Sequence, residues 1–519
     1  MMQRTTPRTS RSPWLRHVGL INDYVRIPYA NGSSFASQFL YREFKARGHQ
    51  VTVVGPRDPD ATPAELPQSH VSLPSLPLRN HPGVYLPLPT RRSLAAVAAQ
   101  RFDVMLGQAS SELLELGVYM RATQHVPFLC VNTIHLPSVY NVVLPDALLN
   151  NPRTNRLFAD GIVPWAERQR AAMYNQTDGI IVLSEKLADY WQQRGVTVPI
   201  HVIPRSVDPD IFDRQPQADL FDPRAKPGYR LLCVCRHTRE KNVSRLLTLF
   251  AKHIYRQVPE ATLTLVGDGP DHDAFKAQAQ ALGIADRTFF PGEYSLKDIP
   301  AFYRYADVFV YTSLSETYGQ VVSEAAWCGM PVVAFADDKG VSHQVKHGLT
   351  GLLVEPGPDE DAADSAFAAH VLQLLQNQLY RRSLACAAQQ ATRERAHPAR
   401  CIERYYDAFD AARDHCRASV EKRVADIAGS YVCLARWATV QSTLAALGCL
   451  RAPATLNRHG RMPPPWDVPA VAGSERIGGG LTEAGKEAPS KEAPIKEDVL
   501  RGERAYSSNG RTIRPTAIA

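Results

Sequence analysis

In the stretch SETYGQVVSEAAWCGMPVVAF, Ser315 to Phe335, two glutamates stand eight positions apart, Glu316 and Glu324, between two apolar runs that read as strands. A carboxylate accepts two hydrogen bonds from a vicinal diol, and the loop amides of Thr317, Tyr318 and Gly319 at the start of a helix suit a phosphate. Related chemistry lies earlier, in VCRHTREKN, where Arg236 and Lys241 are five apart. Two fixed cations can clamp a diphosphate, Arg through its planar fork and Lys as a point charge. Each signal also has a plain structural reading. Glu316 could cap a helix, Glu324 could be a helical surface residue, and Arg236 and Lys241 could form a solvated face with Glu240 as ion-pair partner. Spacing alone leaves both readings standing.

The elements that must carry these residues favour the chemical reading. VFVYTS reads as a strand, SETYG as its carboxyl-end loop, QVVSEAAWC as a helix closed by Gly329, and PVVAF as the next strand, one βαβ turn. Glu316 then lies on the loop where a ligand would sit, and Glu324 on the helix whose positive end faces the same space. Arg236 and Lys241 follow the strand RLLCVCR, also at a carboxyl end, where open α/β sheets hold ligands.

The chain has 519 residues and a formal charge of +7, with basic residues spread along it and no arginine-rich block, which argues against a nucleic-acid partner. From His17 to about Pro204, β-rich runs (VGLIN, VTVVG, FDVML, FLCVNT, GIIVLS, HVIP) alternate with helical segments, the rhythm of a parallel sheet covered by helices. The rhythm breaks at 213–229 and restarts with RLLCVCR, ATLTLVG, TFFPG, VFVYTS, PVVAF and GLLVEP. The expected fold class is therefore α/β, two doubly wound Rossmann-like domains facing across a cleft. The expected domains are a basic flexible arm at 1–16, a first Rossmann-like domain at 17–212, a linker at 213–229, a second Rossmann-like domain at 230–395, helices at 396–451 and a disordered tail at 452–519. The tail carries the imperfect repeat KEAPSKEAPIKE.

Nine cysteines without CxxC or Cys/His clusters read as reduced thiols of a cytoplasmic protein, Cys233 and Cys235 being set on opposite faces of their strand. Tyr431–Leu450 reads as an amphipathic helix rather than a membrane span, because Arg436 and Gln441 interrupt it. LVGDGPDH lacks the third glycine of a dinucleotide fingerprint, and Asp337-Asp338 reads as a solvated helix cap rather than a metal pair.

The combination of CRHTREKN, LTLVGDGP, ADVFVYTSLSETYGQVVSEAAWCGMPVVA and HGLTGLLVEPG resembles the retaining GT-B glycosyltransferases of family 4, most strongly from 230 to 357. The resemblance implies that Glu324 holds the ribose hydroxyls of a nucleotide and that Glu316 contacts the donor sugar near the reaction centre. It implies that Arg236 and Lys241 bind the diphosphate and that the amides of Thr317, Tyr318 and Gly319 contact phosphate or sugar. The first domain would bring the acceptor, a glycine loop near Gly32, and a catalytic histidine at His135 in VNTIHLPSVY. Taken alone, His135 reads as a satisfied core or cap histidine. The chain departs from the family pattern in having Cys235 for a glycine before the arginine, Arg205-Ser206 for Asn-Gly, a single Gly32 for a glycine pair, and His343 where Glu is common.

The expected activity is transfer of a hexose from a UDP- or GDP-linked sugar to a hydroxyl of a lipid or cell-envelope glycan, with no cofactor and no metal. The proline-rich, apolar and basic stretch 73–92 reads first as an ordinary packed surface loop and second as a membrane-facing or lipid-acceptor loop, so the enzyme is expected in the cytoplasm, with peripheral contact at the inner face of the membrane as the second reading. A nucleotide-sugar epimerase and a non-catalytic sugar-nucleotide binder use the same cleft; a new sugar made from donor alone, without acceptor, would mark the epimerase.

Overall fold

The computed structural model describes residues 12–23, 32–77, 85–108, 113–133, 151–216, 218–419 and 423–448. Two parallel sheets carry the fold. The first holds β1 (His17–Ile21), β2 (Gln50–Pro56), β3 (His70–Leu73), β6 (Val104–Gly107), β7 (Phe128–Val131), β8 (Gly179–Val182) and β9 (Ile200–Val202) in the order β3-β2-β1-β6-β7-β8-β9. The second holds β10 (Arg230–Val234), β11 (Thr262–Val266), β12 (Thr288–Gly292), β13 (Val308–Tyr311), β14 (Val332–Phe335) and β15 (Leu352–Val354) in the order β12-β11-β10-β13-β14-β15. In both sheets the order reverses beside the first strand, the topological switch of doubly wound folds. The central strands are continuous apolar runs because helices cover both faces, as the fully buried β6, β7, β8, β13 and β14 show. This is the expected pair of Rossmann-like domains, and both belong to one compact unit.

Helices α1 (Gly32–Ala46), α2 (Leu114–Gln124), α3 (Val243–Leu249), α4 (Gln320–Trp327), α5 (Gly340–Gln344), α6 (Pro398–Ala418) and α7 (Arg423–Gly448) position the parts that matter below. After the second sheet the chain returns to the first domain, where Ile402, Tyr405, Tyr406 and Phe409 of α6 and Cys433 and Trp437 of α7 complete its core. Polar anchors reinforce the return: Arg436 of α7 reaches Glu115 of α2, and Arg121 bonds Asp178, Asp426 and Ser419. The outward and return crossings are stitched together by the Val207 amide donating to the Ala396 carbonyl at 3.0 Å.

Three sequence readings change. Ser12 to Arg16, read as part of a flexible arm, are tied down: Ser12 and the Trp14 indole both donate to Asp410, and Leu15 is buried. The stretch read as a linker carries Phe221 and Ala225 into the second core, and the preceding Val207, Ile211 and Phe212 join the same core. Cys233 and Cys235 do not point to opposite faces; side chains two apart on a strand share a face, and their sulfurs lie 3.8 Å apart. The described cysteines, from Cys130 to Cys433, are all free thiols. The tail from 452 lies outside the described residues.

Of the stretch 73–92, Ser75–Pro77 and Tyr85–Pro87 form a two-stranded antiparallel ribbon, β4 and β5. Leu73 and Leu86 are buried, and the Tyr85 hydroxyl donates to Asp60, so these residues are packed. No helix among the described residues is long and apolar enough to cross a membrane.

Candidate active site

The carboxyl ends of β10 and β13 bring the two sequence signals together. Lys241, in the turn after β10, and Glu316, in the loop after β13, form an ion pair with Nζ to Oε1 at 2.5 Å. The same Oε1 accepts hydrogen bonds from the Tyr311 and Ser313 hydroxyls, both at 2.7 Å. Burial by itself would raise the Glu316 carboxyl, but Lys241, Ser313 and Tyr311 together hold it below the usual range, so it is an anion. Burial works against the Lys241 charge too, and Glu316 more than restores it. The capping reading of Glu316 gives way: its side chain faces the cation, and the N-cap of α4 is instead Gly319, which takes φ +77°, a conformation L side chains rarely adopt. Glu240 accepts the Thr238 hydroxyl at 2.6 Å.

Glu324, on the second turn of α4, is buried, so it is no surface residue. Its Oε2 accepts the Tyr303 hydroxyl at 3.1 Å. Burial pushes its carboxyl up to about 8, with Tyr303 and Gln320 offsetting only part of that. Two glutamates of one turn therefore hold opposite charge states at neutral pH. The cause is that one has a cation and the other has only neutral donors.

The loop from Ser315 to Gly319 is locked from behind. The Gln344 amide of α5 donates to the carbonyls of Tyr318, Gly319 and Gly340, the second at 3.2 Å. Asp337 caps α5 by accepting the amides of Lys339, Gly340, Val341 and Ser342; it is buried rather than solvated. Gly340 is needed because a Cβ there would lie 2.5 Å from the Tyr318 Cα. LVGDGP has a comparable role: a Cβ on Gly267 or Gly269 would strike the carbonyl oxygen of Cys235 at 1.9 Å or of His237 at 2.4 Å. The motif buttresses the Arg236 loop. Beneath that loop His237 stacks on His272, Nδ1 to Nδ1 at 2.8 Å, and burial lowers His237 to about 3, so it is neutral.

The first domain meets this loop directly. The Thr317 hydroxyl donates to the Thr133 carbonyl at the end of β7, and the buried Tyr318 donates to the Arg205 carbonyl, each at 3.2 Å. His343 pairs with Glu185 across the cleft at 2.6 Å. Arg236 is exposed on its loop. Gly32 is the first residue of α1. His135 lies outside the described residues, two positions after Thr133. No group of three or more His, Cys, Asp or Glu side chains able to hold a metal occurs among the described residues.

Sequence reasoning missed the supports of this site. Tyr311 and Ser313 were legible as polar residues ending an apolar strand at its ligand-bearing end. Tyr303 and Gln344 come from distant helices and left no local signal.

Two family models match the chain: one described as Glycosyltransferase Family 4 over residues 31–211, and one as Glycosyl transferases group 1 over residues 219–391. Together they take in the whole second sheet and every strand of the first except β1. The chain belongs to the family 4 glycosyltransferases, with a GT-B fold. This glycosyltransferase is 26% identical over 359 residues to the alpha-monoglucosyldiacylglycerol synthase of Streptococcus pneumoniae, a match covering 65% of the chain and 77% of that enzyme. It is 30% identical over 181 residues to a GDP-mannose-dependent alpha-(1-6)-phosphatidylinositol monomannoside mannosyltransferase of Mycobacterium tuberculosis, covering 33% of the chain and 46% of that enzyme. Among solved structures, an Anabaena protein crystallised with UDP and glucose superposes with a TM-score of 0.58 at 18% identity, over 76% of the chain and 99% of that protein.

Proposed function

We propose that the enzyme transfers a hexose from a nucleoside-diphosphate sugar to a hydroxyl of a lipid or cell-envelope glycan, with retention of anomeric configuration. The observation that carries this reading is the buried Lys241–Glu316 ion pair where the loops after β10 and β13 meet, with the buried Glu324 on the helix that follows. The ionised Glu316 is a fixed negative charge for a donor sugar gaining oxocarbenium character at its anomeric carbon. Glu324 recognises the ribose diol. The diphosphate departs as an anion, offset without a metal by Arg236, Lys241 and the first amides of α4 around Gly319, with Thr317 and Tyr318 shaping the loop. The acceptor attacks from the face the diphosphate leaves, and the departing phosphate helps take its proton. His135, outside the described residues, is assigned the acceptor side by the family resemblance, and Gly32 opens α1, the glycine-loop helix of the first domain.

The relatives' names support a lipid or envelope acceptor. A surface feature supports membrane contact at a place other than residues 73–92. In the helical stretch Pro152–Tyr174, Leu157, Ile162 and Trp165 are 59, 38 and 58% exposed. A wide i→i+5 turn at Phe158–Ile162 swings Ile162 toward the side of Leu157 and Trp165, where the 3.6-residue period alone would turn it away. Arg153, Arg156 and Arg168 are exposed beside them, against Asp160. A basic helix with exposed Trp, Leu and Ile suits an anionic bilayer surface.

The test is a screen of UDP- and GDP-linked hexoses with membrane lipid extract as acceptor, reading labelled lipid and the anomeric configuration of the product. Arg236→Ala is expected to lose nearly all transfer while melting like the parent. Near-parental turnover in that variant, or a changed sugar formed without acceptor, would overturn the reading.

A further inference from the structure

We propose that Arg205 is a third cationic ligand for the donor diphosphate, delivered from the segment where the chain crosses from the first sheet to the second. The inference rests on the donor reading above and adds a residue from outside the second sheet.

Its backbone is fixed at the start of α4. Tyr318 donates to the Arg205 carbonyl at 3.2 Å, and Gln320, the first residue of α4, donates to the Ser206 carbonyl at 3.2 Å. Its side chain lines the interdomain pocket together with Gln320 and Glu324, against an apolar wall that includes Phe35, Phe39 and Phe212. Part of its surface stays open to that pocket while protein surrounds the rest. Among the described residues its guanidinium makes no ion pair and no hydrogen bond. Neighbouring Arg42, on the same pocket, has Asp208 at 3.7 Å. Burial lowers the Arg205 guanidinium to about 10, and Tyr405, Tyr318 and Glu316 make up only part of the loss.

A cation buried without a counterion costs folding energy, and such a cost is met where a ligand supplies the missing anion. The pocket already holds the glutamate assigned to the ribose and the start of α4, whose amides face an anion. A nucleotide seated on Glu324 carries its phosphates past that helix end, toward Lys241. Arg205 flanks the helix end from the crossover, and its planar fork suits two phosphate oxygens.

Isothermal titration of the full chain with UDP, GDP, UMP and GMP tests this. Arg205→Gln is expected to weaken binding of the preferred nucleoside diphosphate by about 10- to 100-fold and to reduce the preference for diphosphate over monophosphate, with Arg205→Lys in between. Its melting temperature is expected to equal or exceed that of the parent, because an uncompensated charge is removed; a merely structural arginine would lower it. If the parent binds nucleoside diphosphate and Arg205→Gln binds it as tightly, this inference falls and the donor reading stands. If the parent binds neither UDP nor GDP, both fall.

Discussion

Glu324 and Glu316 differ by their neighbours, and that difference is measurable as proton linkage. The Glu324 carboxyl, ordinarily near 4.5, is raised to about 8. The folded protein therefore holds a proton that the unfolded chain has released, so its stability is full below about pH 4.5 and falls as pH rises toward 8. Glu324→Gln is expected to melt higher than the parent at pH 8 to 9, with the gap narrowing toward pH 5. A ribose diol favours the ionised carboxylate, so nucleotide affinity is expected to rise between pH 6 and pH 8, with proton release seen in buffers of different ionisation enthalpy. Glu324→Gln flattens that rise; an unchanged slope would remove Glu324 from the nucleotide site. Lys241→Ala, which leaves Glu316 buried without its cation, is expected to cost about 3 kcal/mol in urea unfolding, a loss Lys241→Ala/Glu316→Gln partly recovers. At this scale the residue types were legible in sequence, while their charge states were not, because burial at Glu324 and the Lys241 cation at Glu316, helped by Ser313 and Tyr311, decide them through space.

The loops after β10 and β13 act as one element only because backbone meets backbone. Gly269 lies against the His237 carbonyl, and the Gly269 turn receives the His237 amide through the Asp268 carbonyl at 2.9 Å. Gly269→Ala must displace the Arg236 loop, since backbone cannot yield as a flexible side chain does. The expected result is a loss of about 1–3 kcal/mol in stability and of about tenfold or more in nucleotide affinity, read by thermal melting and titration calorimetry. Parental affinity in that variant would show that the loop's position is immaterial to binding. Strand–loop–helix order was readable from apolar runs and turn residues. The use of LVGDGP as a buttress was not, because the partner of each glycine lies about 30 residues away in sequence.

Across the whole molecule, the first domain is built from two distant pieces of chain. Ile402, Tyr405, Tyr406, Phe409 and Trp437 are buried in its core, each contributing on the order of 2 kcal/mol of burial. Ending the chain at Ala396 is expected to strip protection from the amides of the first sheet in hydrogen exchange; native-like protection there would mean that α6 and α7 are an accessory cover. Two parallel sheets, the ligand-bearing loops and the acidic and basic residues of the site follow from local order: apolar runs of strand length, helical segments between them, and punctuation by Gly and Pro. The ion pair of Lys241 with Glu316, the neutral state of Glu324, the unpaired Arg205 and the return of α6 and α7 to the first core follow from the tertiary structure alone. Each joins residues separated by tens to hundreds of positions, and burial, which sets charge and packing energy, has no value until those positions meet.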